Sequence, residues 1–163
     1  MNKTEQYSVL LDCSFFIRLL KENDPLHKNA YDYFKYFVEH GITCYISTIA
    51  IAEDCVKGEK DDLPFEHLQV IPFNINHSIE AGRLCGLVYS EKERRGAKIY
   101  PRAVVPNDTK MFAQANVQED IRYFVSSDSE AVKIYEILND NGINFEYIDI
   151  HQLYSEKFGV LPL

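Results

Sequence analysis

Four carboxylates stand where apolar segments end. Asp12 closes Ser8-Val9-Leu10-Leu11, Glu53 closes Ile49-Ala50-Ile51-Ala52, Asp108 follows Val104-Val105-Pro106-Asn107, and Asp128 follows Phe124-Val125-Ser126-Ser127. Acids placed just beyond strand ends can converge in the crevice where open α/β sheets bind their ligands. Several acids in one small pocket repel one another until a cation neutralises them, and hard oxygen donors select Mg2+ or Mn2+ over softer metals. The chemistry this pattern predicts is metal-assisted hydrolysis of a phosphate ester.

The elements that must carry these acids alternate along the chain. Tyr7 to Leu11 reads as a buried strand, and Cys13 to Lys21 as a helix with Phe15, Phe16, Leu19 and Leu20 at helical spacing. Asp24-Pro25 predicts a helix start, with Asp24 as its N-cap, and Gly41 a stop after His40. Thr43 to Ser47 is β-branched and aromatic enough for a strand, and Thr48 to Val56 follows as a helix carrying Glu53. Leu68 to Phe73 predicts a strand, and Asn76-His77-Ser78 the cap of a long helix reaching about Arg95. Gly96 to Pro106 has no clear period, so a helix is expected to open at Asn107 or Asp108. Ile121 to Val125, Ser129 to Asn139 and Phe145 to Ile150 complete the chain as strand, helix and strand before a short tail helix. Such alternation implies one α/β domain over 1–163, a three-layer sandwich whose mostly parallel central sheet is covered on both faces.

Composition narrows the function. With 163 residues, 46% of them hydrophobic, the chain can bury one substantial core. Its net charge of −8 argues against sequence-blind electrostatic binding to nucleic acid but leaves a nuclease open, because part of the acidity would surround a metal. Cys13, Cys44, Cys55 and Cys85 show no zinc-site spacing, and three of them lie in apolar surroundings that suit reduced thiols buried as small hydrophobes. No apolar stretch approaches the roughly 20 residues of a membrane span, and no signal-peptide pattern opens the chain, so a cytoplasmic protein is expected.

The four segments together carry a resemblance. Val9-Leu10-Leu11-Asp12-Cys13-Ser14 is similar to the first strand of the PIN domain family, whose opening acid is followed two residues on by Ser or Thr. Ser47-Thr48-Ile49-Ala50-Ile51-Ala52-Glu53 resembles the family's second strand and the helix bearing its Glu. Asn107 to Ala115 resembles its third acidic segment, and Phe124-Val125-Ser126-Ser127-Asp128 its fourth. Each motif alone is weak, but the four occur in family order between Tyr7 and Ile150. The resemblance implies a PIN-like fold and a Mg2+- or Mn2+-dependent endoribonuclease acting on RNA. It also implies a toxin with an antitoxin protein as partner, and leaves room for a homodimer.

On that reading Asp12 and Asp108 are the expected direct metal ligands, with Asp128 and Glu53 binding directly or through water. Ser14, and either Ser126 or Ser127, would support a ligand or the substrate phosphate. Simpler roles compete with these, since Asp108 and Asp128 each read equally well as a helix N-cap. Lys92, Arg94, Arg95, Lys98 and Arg102 form a basic strip that would hold phosphates or merely solvate a helix end. Tyr31, Tyr33, Phe34, Tyr36 and Phe37 read as core plus a partner surface. Two alternatives remain, a non-catalytic PIN-like binding module and a phosphohydrolase of the haloacid dehalogenase type. The second would want an Asp where Ser14 stands.

Overall fold

The computed structural model describes residues 7–56, 62–96 and 104–161. Five strands, β1 (Ser8–Leu11), β2 (Thr43–Ser47), β3 (Leu68–Ile71), β4 (Ile121–Ser126) and β5 (Glu146–Asp149), form one parallel sheet in the order β3-β2-β1-β4-β5. Its centre is apolar on both faces: Val9, Leu10 and Leu11 are fully buried, as parallel strands under helices require.

The helices are α1 (Cys13–Leu20), α2 (His27–Glu39), α3 (Thr48–Asp54), α4 (Ile75–Arg95), α5 (Val104–Val117), α6 (Ser129–Asn139) and α7 (Tyr154–Phe158). They contact one another in two groups, α1 with α2 and α3 and α2 with α7, and α4 with α5 and α6. Right-handed crossovers explain the division. From β1 the chain moves outward through β2 to β3, then returns to β4 and moves outward the other way to β5. The direction of winding reverses between β1 and β4, which opens a crevice at their carboxyl ends.

Several expected boundaries move. Asp24 caps a turn rather than the helix: its carboxylate accepts the Leu26 N–H at 2.9 Å and binds Arg18 at 2.5 Å, while α2 begins at His27. The long helix is capped by Asn74, not Asn76, in a reciprocal pair with buried His77. His77 Nδ1 accepts the Asn74 N–H, so its ring is held neutral, and burial pulls its pKa below the ordinary value. Helix α5 starts at Val104, earlier than expected, because Pro106 falls in the first turn where no N–H is required. The aromatic run of α2 is largely consumed inside the molecule. Tyr33 and Phe37 are buried and Tyr36 stacks on Phe158 of α7 at 4.6 Å, leaving Tyr31 as the exposed ring of that run.

Candidate active site

All four acids line one cleft of about 390 Å3, together with Cys13, Ser14, Ile17, Asn107 and Met111. Asp12 sits at the end of β1 and is 6% exposed. Its backbone N–H donates to Val125 of β4, and its carbonyl accepts the Phe15 and Phe16 N–H groups that open α1. Its side chain makes no cap bond, so the capping role does not account for the carboxylate. Instead the Ser14 and Ser126 hydroxyls each lie 2.7 Å from Asp12 Oδ2 and 2.9 Å from one another. Burial raises the Asp12 pKa, against the opposing pull of these hydroxyls and the Cys13 N–H.

Ser126, not Ser127, is the hydroxyl that reaches Asp12. Ser126 Oγ also accepts the Asp128 N–H at 3.0 Å, while the Ser127 N–H donates to Ser14 Oγ at 3.0 Å and Ser127 Oγ faces Arg18 at 3.4 Å. Asp128 does cap α6, accepting the Glu130 N–H at 2.8 Å, and still lines the cleft. The cap bond does not take Asp128 out of the cleft. Tyr147 of β5 fixes it from below, donating its hydroxyl to the Asp128 carbonyl at 3.0 Å.

The facing wall is different. Asp108 lies more than a turn inside α5, so neither a capping role nor the helix N-terminus at this residue explains it. It is 8% exposed, and its Oδ2 is buried without a hydrogen-bond partner. Burial first, then the charges of Asp12, Asp128, Glu53 and Glu130, push its pKa up to about 8. Glu53 on α3 is also raised, by burial and by Asp12, with Lys110 pulling the other way. Helix α5 is fixed against the sheet by buried Gln114, which accepts the Ser47 hydroxyl at 2.6 Å and donates to the Ile71 carbonyl at 3.2 Å.

Among the described residues no group of three His, Cys, Asp or Glu side chains forms a ready metal cluster. The donor set nonetheless suits a hard divalent ion: oxygen donors, one of them buried and unpartnered, in a group of acids that repel each other. Mg2+ keeps several of its waters and asks for only one or two protein carboxylates. Position 14 offers a hydroxyl bound to Asp12, so the second carboxylate of the phosphohydrolase alternative is missing. None of the described residues of the basic strip lines the cleft. Arg94 is bonded to Glu91 on its own helix at 2.7 Å, whereas Lys98, Arg102 and the side chain of Arg95 fall outside the described residues.

Sequence reasoning missed Tyr147, Gln114, Ile17 and Met111. Met111 is one turn from Asp108 and Ile17 one turn from Ser14, so helical spacing would have found both. Tyr147 and Gln114 carry no local signal.

No family model matches the chain and no curated relative does. Solved structures do. VapBC2 from Rickettsia felis, bound to a DNA fragment from its promoter, is similar at 19% identity and a TM-score of 0.57, over 86% of this chain and 98% of that one. DNA-bound VapBC from Salmonella typhimurium is similar at 15% identity and a TM-score of 0.55, over 88% of this chain and 98% of that one. At such identities the likeness speaks for architecture, and together with the strand order it shows that this chain has a PIN-like fold.

Proposed function

We propose that this chain is a Mg2+- or Mn2+-dependent endoribonuclease, hydrolysing phosphodiester bonds of single-stranded or structured RNA as the toxin of a toxin–antitoxin pair. The observation that carries the reading is the cleft in which Asp12, Glu53, Asp108 and Asp128 meet, with Asp108 Oδ2 buried and unpartnered. Asp12 and Asp108 would hold the ion directly, with Asp128 and Glu53 bonding to it or to its waters. Such an ion, once bound, supplies a more acidic water nucleophile and neutralises charge on the phosphoryl oxygens. The chain's own contribution is orientation. Ser14 and Ser126 hold the Asp12 carboxylate at Oδ2, while the α6 cap and Tyr147 fix Asp128.

The similar structures are two-component VapBC assemblies, which supports a protein partner for this chain, and a homodimer is compatible with the same reading. Four unpaired cysteines support a cytoplasmic setting, and no helix of the described residues is long and apolar enough to cross a membrane. A divalent-metal titration followed by thermal unfolding, then incubation with a mixed single-stranded RNA pool, tests the proposal. Mn2+ is expected to raise the unfolding temperature and to permit RNA cleavage. Undiminished cleavage in excess chelator would refute it.

A further inference from the structure

A second cavity, of about 380 Å3, borders helix α5 as the acid cleft does. Phe73, Ser78, Ala81, Gly82, Cys85, Thr109 and Lys110 line it. Its walls are mainly apolar, with one aromatic ring and one cation. The two hollows share a single turn of helix: Asn107, Asp108 and Met111 face the acid cleft, while Thr109 and Lys110 face this one. Lys110 spans the boundary, since its charge acts on Glu53. Its side chain is half-buried between the two hollows.

We propose that this cavity receives one unstacked base of the RNA, next to the phosphate held at the acids, with Phe73 as its stacking face and Lys110 on the connecting phosphate. The assignment rests on the nuclease reading and names the part of the substrate that would confer sequence preference. The occupant follows from the combination of features. A purely apolar partner would not need a cation at the rim, and a peptide strand would not need an aromatic wall beside a phosphate-hydrolysing cleft. Protein recognition of single-stranded RNA uses bases splayed from the stack onto aromatic rings, with cations tracking the backbone. A hollow of this size accommodates one base, and the Ser78 hydroxyl on its wall offers a donor and acceptor to a base edge.

Gly82 makes the idea testable without damage to the fold. A Cβ built on it meets nothing within 4 Å, and it stands inside α4, where Leu is a better helix former than Gly. Gly82→Leu is therefore expected to fold at least as stably while filling the cavity, and Phe73→Leu removes the ring by a separate route. Both are compared with the parent on short single-stranded RNAs that carry 2-aminopurine, which is quenched on stacking, or an abasic site at successive positions. In the parent, one position beside the cut should be quenched, and an abasic site there should raise KM at least about 5-fold, the low end of one base stack. In Gly82→Leu, quenching should vanish and KM should be high with or without the base. An abasic penalty equal in parent and variant overturns the proposal, as does quenching that survives both substitutions. A parent that cuts RNA with no quenched position removes the cavity's role and leaves the nuclease reading standing. A parent that stacks RNA in the cavity but never cuts it does the reverse. Normal cutting by Gly82→Leu with loss of a protein partner would assign the cavity to protein and overturn the proposal.

Discussion

The two walls of the acid cleft are built on opposite terms. On the wall formed by β1 and β4, each carboxylate is already satisfied: Asp12 by two hydroxyls, Asp128 by the Glu130 N–H, with Tyr147 bracing its carbonyl. On the wall formed by α3 and α5, Asp108 Oδ2 has no partner, and burial with the neighbouring acids pushes the Asp108 pKa up to about 8. One wall is held by hydrogen bonds within the protein, and the other keeps a buried carboxylate oxygen without one. An unpartnered buried carboxylate oxygen costs roughly 1–3 kcal/mol or more, and a bound cation would recover that cost.

Asp108→Asn should break this asymmetry with the largest effect. The amide keeps the shape of the protonated acid but cannot neutralise a cation, so RNA cleavage should fall on the order of 1,000-fold, equivalent to several kcal/mol. The rise in unfolding temperature with Mn2+ should shrink with it. Ser126→Ala should come next. It strips one hydroxyl from buried Asp12 and the acceptor from the Asp128 N–H, so metal affinity should drop about 10–100-fold and stability by about 1–3 kcal/mol. Titration calorimetry and urea unfolding measure the two losses separately.

A smaller effect is expected from Tyr147→Phe, which leaves the ring in place and frees one carbonyl. Stability should fall by about 1 kcal/mol and cleavage by only a few-fold. An unchanged KM with a reduced kcat would place the defect in positioning rather than in substrate binding. The pH dependence sharpens the comparison further. In chelator the folded chain holds the Asp108 proton from the ordinary value of 3.8 up to about 8, so the unfolded chain releases it first and stability from this group declines as pH rises between those limits. Asp108→Asn should lack that decline. Since metal and proton compete for the same oxygen, Mn2+ affinity of the parent should climb with pH and level off near 8.

Much of this arrangement was legible in the sequence, and the misses have physical causes. Thr43–Ser47 and Ser129–Asn139 fall on the expected residues because β-branching and helical spacing agree there with burial. The acids were visible because each interrupts an apolar run. The start of α5 was hidden by Pro106, a helix breaker in the interior but harmless in a first turn. Asn74 and Asn76 are indistinguishable until His77 is seen buried and reaching back to the cap. The choice between Ser126 and Ser127 turned on a single residue of register at the end of β4, which sequence alone does not resolve. The different chemistry of the two walls was out of reach, because it depends on partners more than 100 residues apart, such as Ser126 on Asp12.

The most direct test of the account is Asp12→Asn, assayed for cleavage of single-stranded RNA in Mn2+ and for thermal unfolding with and without the ion. Asn keeps the size of Asp and a carbonyl oxygen for the Ser14 and Ser126 hydroxyls, so a purely structural role would leave cleavage and the metal response near the parent. The account predicts that the variant loses cleavage and the metal-induced rise in unfolding temperature, yet folds at least as stably in chelator because repulsion with Asp108 and Asp128 is relieved. A variant that cuts RNA like the parent, and whose unfolding temperature still rises with Mn2+, would contradict it.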